Sequence, residues 1–382
     1  MQLRWLTSLQ QIPPAAWNAL FPGGYPFCRH AFLLALEQGG SIDGRSCWQS
    51  QHLTVWQDEQ LIAAVPGYLK LHSYGEYLFD WQIAEAYQQM QLPYYPKWIA
   101  AIPFTPVTGP RLGLLPGTSQ STVLHIISSF LLIELSSGRL QSMQWLYPDA
   151  ELTAALTQQG FWPRHDVQFL WHNQHYTDFS AFLAQLNSRK RKQLLKERAA
   201  CAAFNLVTLR GSELTSAHWQ QLLRCYQATY LKRSGHHGYI TAQSFQLLAN
   251  TMADQIVVFA AFDPANPVQM LAAALCFQGE DTLYGRYWGA LQPNEMLHFE
   301  LCYYQGIEYC IQHGLRYFDA GAQGEHKLKR GFAPVLRYGA YRFADTPLSG
   351  AIQQYFLQEQ QHLQQYLAAA VAALPYKKTD NS

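Results

Sequence analysis

The chain has 382 residues, of which 49% are hydrophobic and 14% charged, and 27 Lys and Arg against 26 Asp and Glu leave a formal net charge of +1. That apolar content excludes a disordered chain and the length predicts two domains. The charge balance excludes a global attraction to nucleic acid or to an anionic membrane, so any polyanion site must be local.

Seven cysteines (Cys28, Cys47, Cys201, Cys225, Cys276, Cys302, Cys310) are scattered and never spaced C-x-x-C. This argues against a disulfide framework or a zinc ribbon, and no metal is expected. Gln10, Gln11 and the Pro13-Pro14 pair arrive before an apolar leader segment can form. The most apolar stretch, 123–135, carries His125, Ser128, Ser129 and Glu134 and is too short to span a bilayer, so a soluble cytoplasmic protein is expected.

In chain order, residues 32–37 read as a helix stopped by Gly39-Gly40, and the apolar runs 52–56 and 61–69 straddle Gln57-Asp58-Glu59-Gln60 as a hairpin. A strand is predicted over 97–102, a Pro/Gly-rich loop over 103–117, a helix over 121–136 and a strand over 142–147. Asp149 then caps a helix that Gly160 stops. Strand-like 167–171 gives way to polar His172-Asn173-Gln174-His175, which sets the expected domain boundary at 172/173. Helices follow over 181–203 and 217–230, then strands over 256–262, 270–277 and 282–289. A helix with Leu297, Leu301, Tyr304 and Ile307 on one face closes at Gly314, and a strand runs over 315–319. Both halves thus share one order: helices, hairpin, strand, helix, strand. A second domain is expected over 173–347, a terminal helix over 348–374 and a disordered tail over 375–382.

One stretch concentrates polar chemistry: Tyr317-Phe318-Asp319-Ala320-Gly321-Ala322-Gln323-Gly324-Glu325-His326-Lys327-Leu328-Lys329-Arg330-Gly331-Phe332. With Gly285-Arg286-Tyr287-Trp288-Gly289, Leu297-His298-Phe299-Glu300, Tyr94-Tyr95-Pro96-Lys97 and Pro103-Phe104-Thr105-Pro106-Val107-Thr108-Gly109, it resembles a FemAB-like family of N-acyltransferases. The resemblance covers nearly the whole chain. It implies an α/β fold with mixed sheets, built as tandem acyl-CoA N-acyltransferase (GNAT-like) domains, and acyl transfer to an amine. The better-known Fem ligases, to which the chain is distantly similar, attach amino acids from aminoacyl-tRNA to peptidoglycan precursors. Residues 178–203 are too few for the long helical arm of those ligases. No Q-x-x-G-x-G or R-x-x-G-x-A loop is present either, so the donor is left open between acyl-CoA and aminoacyl-tRNA.

Acyl transfer needs a carbonyl held beside a deprotonated amine, a proton acceptor, and a proton donor for the leaving group. A strand ending at Gly321 and Gly324 lets a ligand approach the backbone, and Gln323, Glu325 and His326 bring polar groups to one rim. Glu325 or His326 is expected to handle the acceptor proton, with His298 as a further acid or base, and Lys327 or Arg330 to neutralise a substrate anion. Glu325 and Lys329 are i, i+4 partners if this segment is an α-helical turn. Arg286 suits a phosphate or carboxylate, Trp288 suits stacking on a base or pantetheine arm, and Glu300 suits orienting His298 or anchoring an amine. Lys70, His72, Tyr74 and Glu76 alternate as if along a strand, giving either a solvated face or the substrate groove between domains that the resemblance favours. The basic run Arg189 to Arg198 reads as a solvated helix face or as a tRNA contact. The alternative to an enzyme is a non-catalytic module that binds an amino-acid or cell-wall-precursor ligand.

Overall fold

The computed structural model describes residues 1–42, 46, 48–292, 295–322 and 324–377. The chain forms two compact units. Unit 1 comprises residues 1–167 and 336–365, and unit 2 comprises 168–335 and the chain from 366 on. The break expected at 172/173 thus falls at Val167/Gln168, and the chain returns to unit 1 for 30 residues before ending in unit 2.

Unit 1 begins with β1 (Gln2–Leu6), α1 (Pro14–Asn18), α2 (His30–Gln38) and β2 (Trp48–Ser50). β3 (His52–Gln57) and β4 (Gln60–Val65) form the expected hairpin. Asp58 and Glu59 both take positive φ, the backbone that a two-residue hairpin turn demands. The run predicted to continue to residue 69 is divided at Pro66, which has no N–H to donate to a ladder. β4 stays in a four-stranded sheet of order β1-β3-β4-β7, where β7 is Gly113–Leu114, whereas β5 (Gly67–Lys70) pairs with β2 and with β6 (Lys97–Ala100) in a second sheet.

After β5 come α3 (Trp81–Gln89), β6, β7, α4 (Gln120–Ser136), β8 (Ser142–Leu146) and α5 (Ala150–Gln158). α4 crosses from β6 to the parallel strand β8. Asp149 caps α5 as expected, its carboxylate accepting from the Leu152 amide at 2.7 Å. β9 (Trp162–His172) carries the chain into unit 2. The core of unit 1 is built around Trp98, Trp145, Leu131 and Val55, all buried.

In unit 2 the predicted 181–203 helix is two helices, α6 (Phe179–Gln185) and α7 (Ser188–Ala199). Asn187 divides them: its extended backbone lets its side-chain oxygen accept from the Lys190 amide at 3.0 Å and start α7. Then follow β10 (Asn205–Arg210), α8 (Ser216–Ser234), α9 (Ala242–Thr251), β11 (Ile256–Asp263), β12 (Asn266–Gln278) and β13 (Thr282–Ala290). The helix predicted around Leu297 is α10 (Glu295–Phe299) and α11 (Gln305–Gln312), joined by a π-helical turn at Glu300–Tyr304. β14 (Tyr317–Asp319), a 3₁₀ segment at Glu325–Arg330, β15 (Ala333–Phe343) and α12 (Ser349–Ala372) complete the chain.

The strand order in unit 2 is β10-β11-β12-β13-β14-β9, antiparallel except for the parallel pair β13/β14 that α10 and α11 connect. Each unit therefore has antiparallel strands leading to one parallel pair bridged by a helical crossover, the repeat of element order read from the sequence. β15 pairs with β8 through Gly339–Phe343, and Arg164 binds Glu359 of α12 at 2.8 Å, which places residues 336–365 with unit 1 instead of with the second domain. Residues 375–377, expected in a disordered tail, are held instead: the Pro375 carbonyl accepts from Asn187, and the Tyr376 hydroxyl donates to the Gly331 carbonyl at 2.6 Å. Among the described residues no helix is long and apolar enough to cross a membrane.

Candidate active site

The parallel pairing of β13 with β14 covers only Thr282–Tyr284 against Tyr317–Asp319. Beyond it β13 continues to Ala290 beside β12, while the other chain turns away at Gly321, whose φ of +93° suits glycine. A bulge falls at this parting. Leu275 faces Tyr287 and Cys276 faces Gly285, so Arg286 is the extra residue, with its guanidinium 5.5 Å from the Tyr287 ring. Trp288, on the same strand, sets its ring edge-on to His298 with centroids 5.2 Å apart.

The π-helical turn brings aromatic residues and the two histidines together, as an inserted residue in a helix does at many functional sites. The Tyr303 hydroxyl lies 2.7 Å from His326 Nε2, and the His298 ring is 5.5 Å from Tyr303 and 6.1 Å from His326. Burial, aided by His326, Arg233, Arg330 and Lys327, drives the His298 pKa down to about 3. His326 is lowered for similar reasons, burial first, and burial raises the Tyr303 phenol well above its ordinary range. At neutral pH this cluster is therefore two neutral imidazoles and a protonated phenol. With the phenol as donor, Nε2 accepts and the neutral His326 ring carries its proton on Nδ1; the other tautomer reverses the bond.

Arg330 does not face outward to a substrate anion. It is buried and ion-paired with Glu197 of α7 at 2.7 Å, takes Tyr304 as acceptor at 3.0 Å, donates to the His326 carbonyl at 2.9 Å and lies 3.5 Å over the Phe299 ring. Tyr304 also donates to Glu197. Lys327 is likewise buried, and its ammonium donates to the Gly321 carbonyl. The two cations expected to meet substrate thus hold the backbone of the Gly321 to Arg330 segment. Glu300, expected beside His298, is buried and bound to Arg198 at 3.0 Å, and Arg198 also holds Glu308 at 2.8 Å. Glu325 is exposed and accepts from the Tyr366 hydroxyl at 2.8 Å, and the 3₁₀ geometry replaces the α-turn that its i, i+4 pairing with Lys329 requires. Gly324 has φ of +111°, and a side chain there would strike the His326 ring. Gln323 lies outside the described residues.

The basic run is only partly a solvated face. Glu197 and Arg198 turn inward to build the site, while Arg189, Lys192 and Lys196 are exposed, and burial, aided by Lys329, Arg189 and Arg330, lowers the Lys190 pKa. Sequence reasoning missed Tyr303, Phe299 and Glu197. Phe299 and Tyr303 lie off the apolar face read at Leu297, Leu301, Tyr304 and Ile307, but the lone acid among the six basic residues of the 189–198 run was a visible signal for an internal ion pair.

In unit 1, β5 ends at Lys70, so His72, Tyr74 and Glu76 are not on a strand. Gly75 at φ +80° and Tyr77 at φ +68° turn the chain instead. Lys70 and Glu76 are wholly buried, Tyr74 is exposed and His72 half-buried. Lys97 sits at the centre of this loop's inner face, 2.6 Å from Asp80, 2.8 Å from Glu76 and 2.8 Å from Ser73 Oγ. Burial raises the Glu76 carboxyl to about 7, whereas Lys97 outweighs burial at Asp80 and holds it at about 2.

The fold is shared with solved structures at low sequence identity. FemX aligns with a TM-score of 0.54 at 9% identity, over 92% of this chain and all of that one. The C-terminal domain of an assigned lysylphosphatidylglycerol synthetase from Agrobacterium fabrum gives 0.53 at 10%, over 93% and 98%. L-PGS from Bacillus licheniformis gives 0.52 at 11%, over 89% and 95%. The expected α/β class with mixed sheets is the one observed, in two units of like element order. A search of curated proteins finds no significant match. The FemAB-like family profile, described as peptidoglycan biosynthesis/recognition, matches residues 8–378, and the chain therefore belongs to the FemAB-like family.

Proposed function

We propose that this protein is an N-acyltransferase that moves an acyl or aminoacyl group from acyl-CoA or aminoacyl-tRNA to an amine acceptor linked to peptidoglycan precursors. The reaction is placed in unit 2, at the parting of β13 and β14. The observation that carries the reading is the Tyr303–His326 pair beside His298, a buried phenol on a half-buried imidazole, neutral at physiological pH and set against Gly324. Membership of a peptidoglycan-related family and a fold shared with FemX and with lysylphosphatidylglycerol synthetase domains support it.

In this reading the attacking amine gives its proton to the Tyr303 oxygen as Tyr303 hands its own to Nε2 of His326. The new C–N bond forms, the C–S or C–O bond to the donor breaks, and the imidazolium returns the proton through Tyr303 to the leaving thiolate or hydroxyl. Atoms and charge balance without a further reactant. Neutral His298 limits the positive charge around the pair, so His326 is free to accept a proton. Arg330 and Lys327 act as positioning residues through the backbone of the Gly321 to Arg330 segment.

The test is transfer of a labelled acyl group, with acyl-CoAs and aminoacyl-tRNAs as donors and amines as acceptors. His326→Ala and Tyr303→Phe are each expected to lower kcat by about 10²–10⁴-fold, the usual worth of a positioned acid–base group. Full activity in both variants refutes the assignment. Absence of transfer by the wild-type protein with every donor favours the ligand-binding module instead.

A further inference from the structure

The loop from Lys70 to Trp81 in unit 1 partitions its residues the wrong way round for a folded protein. Lys70, Ser73, Glu76 and Asp80 are buried, while Leu71, Tyr74, Phe79 and Trp81 are 51%, 57%, 44% and 40% exposed. Burying charges and leaving large apolar side chains in water both oppose folding, so a loop that does both within twelve residues is built for its outer face. The rings form one patch: Tyr74 lies 4.9 Å from Trp81 and 5.0 Å from His72, and Phe79 lies nearly parallel to Trp81 at 6.3 Å. The inner charges are its mount. Lys97 clamps Glu76 and Asp80 on either side of Tyr77 to Phe79, and Lys70 donates to the Tyr74 carbonyl at 3.0 Å. Such a buried ionic cluster adds little net stability but fixes one conformation, which is what a rigid aromatic platform needs.

We infer that this patch is a docking surface for a neutral saccharide chain of equatorial pyranose rings. Flat C–H faces of such rings stack on aromatic faces, and their hydroxyls bond to the polar edges that Tyr and Trp present. Charge favours this occupant over an anionic bilayer. No Lys or Arg occurs between Leu71 and Pro96, and the exposed Glu85 of α3 adds a negative charge. Burial, with Lys70 and Lys97, keeps His72 below its ordinary pKa, so it brings no positive charge at neutral pH. Membrane-surface segments instead pair their aromatic residues with Lys and Arg. The inference stands apart from the transfer reaction placed in unit 2.

The full-length protein is titrated calorimetrically with a β-1,4-linked N-acetylglucosamine tetramer and with the corresponding glucose tetramer, and its sedimentation with phosphatidylcholine and phosphatidylglycerol vesicles is measured alongside. Binding of at least one tetramer is expected, with a loss of tenfold or more in both Tyr74→Ala and Trp81→Ala. Two variants are used so that one misfolded protein does not decide the result, and Arg286→Ala, in unit 2, is expected to bind as wild type does. Absence of binding to both tetramers, binding unchanged in both variants, or vesicle binding that both variants abolish overturns the inference.

Discussion

Replacing Lys97 by Met tests whether the buried cluster of unit 1 is held by charge pairing. Lys97 is the donor common to Asp80, Glu76 and Ser73, at 2.6, 2.8 and 2.8 Å, and all of its side chain is out of water. Without it the Asp80 carboxylate keeps Tyr94 and Gln144 as donors but has no countercharge. Glu76, already near its midpoint at pH 7, can take a proton at little cost. Breaking a buried pair from one side costs about 3–5 kcal/mol, and that is the loss expected at pH 7.

The pH dependence makes the test sharp. In the variant Asp80 escapes its penalty by protonation, which costs about 1.36 kcal/mol for each pH unit above an unfolded carboxyl pKa of about 3.9. That is about 4 kcal/mol at pH 7 and about 1.5 at pH 5, so the deficit relative to wild type should shrink by about 2.5 kcal/mol between them. Urea unfolding of both proteins at the two pH values measures it, and the Lys97→Met, Asp80→Asn double variant should regain most of the loss at pH 7. A deficit below about 1 kcal/mol, or one equal at both pH values, would refute the reasoning.

Three further outcomes follow from unit 2. Glu197→Gln strips the partner from buried Arg330 and should cost about 3 kcal/mol in urea unfolding, whereas Glu213→Gln, which caps an exposed turn, should cost under about 1. In Gly289→Ala the added carbon would lie 1.9 Å from the Cys225 carbonyl oxygen, so α8 must move off β13; a loss of about 1–3 kcal/mol is expected, and an unchanged Tm would show that the two do not pack as described. Arg233 is exposed and lowers both His298 and His326. Removing a cation favours the protonated imidazole, so Arg233→Ala should move the acid limb of the pH–rate profile upward, and a downward shift would contradict it.

Periodicity made the regular elements legible. The apolar spacing of residues 297–307, the caps at Asp149 and the stop at Gly160 predicted elements that the structure contains, and the motif around Gly321 to Phe332 pointed to the family. The site was legible as a region but not as a set of roles. Sequence spacing does not reveal which of several cations is spent internally: Arg330 and Lys327 looked available for substrate, yet Glu197, some 130 positions away, and the Gly321 carbonyl take them. The π-helical turn likewise leaves no mark on an apolar period, although it turns Tyr303 toward His326. The polar alternation of Lys70, His72, Tyr74 and Glu76 resembled a strand only because a tight turn, with Gly75 and Tyr77 at positive φ, happens to share its period.

The most direct test of the account is whether unit 2 holds the acyl donor. Thermal unfolding of the full chain is measured with acetyl-CoA, longer acyl-CoAs, free CoA and aminoacyl-tRNA, where a ligand at about 100 times its Kd adds about 2.7 kcal/mol. The account predicts stabilisation by one donor class, diminished in Arg286→Ala and accompanied by slower amide exchange around Gly285 to Trp288 and Gly321. No stabilisation by any donor, or protection confined to unit 1, would contradict it.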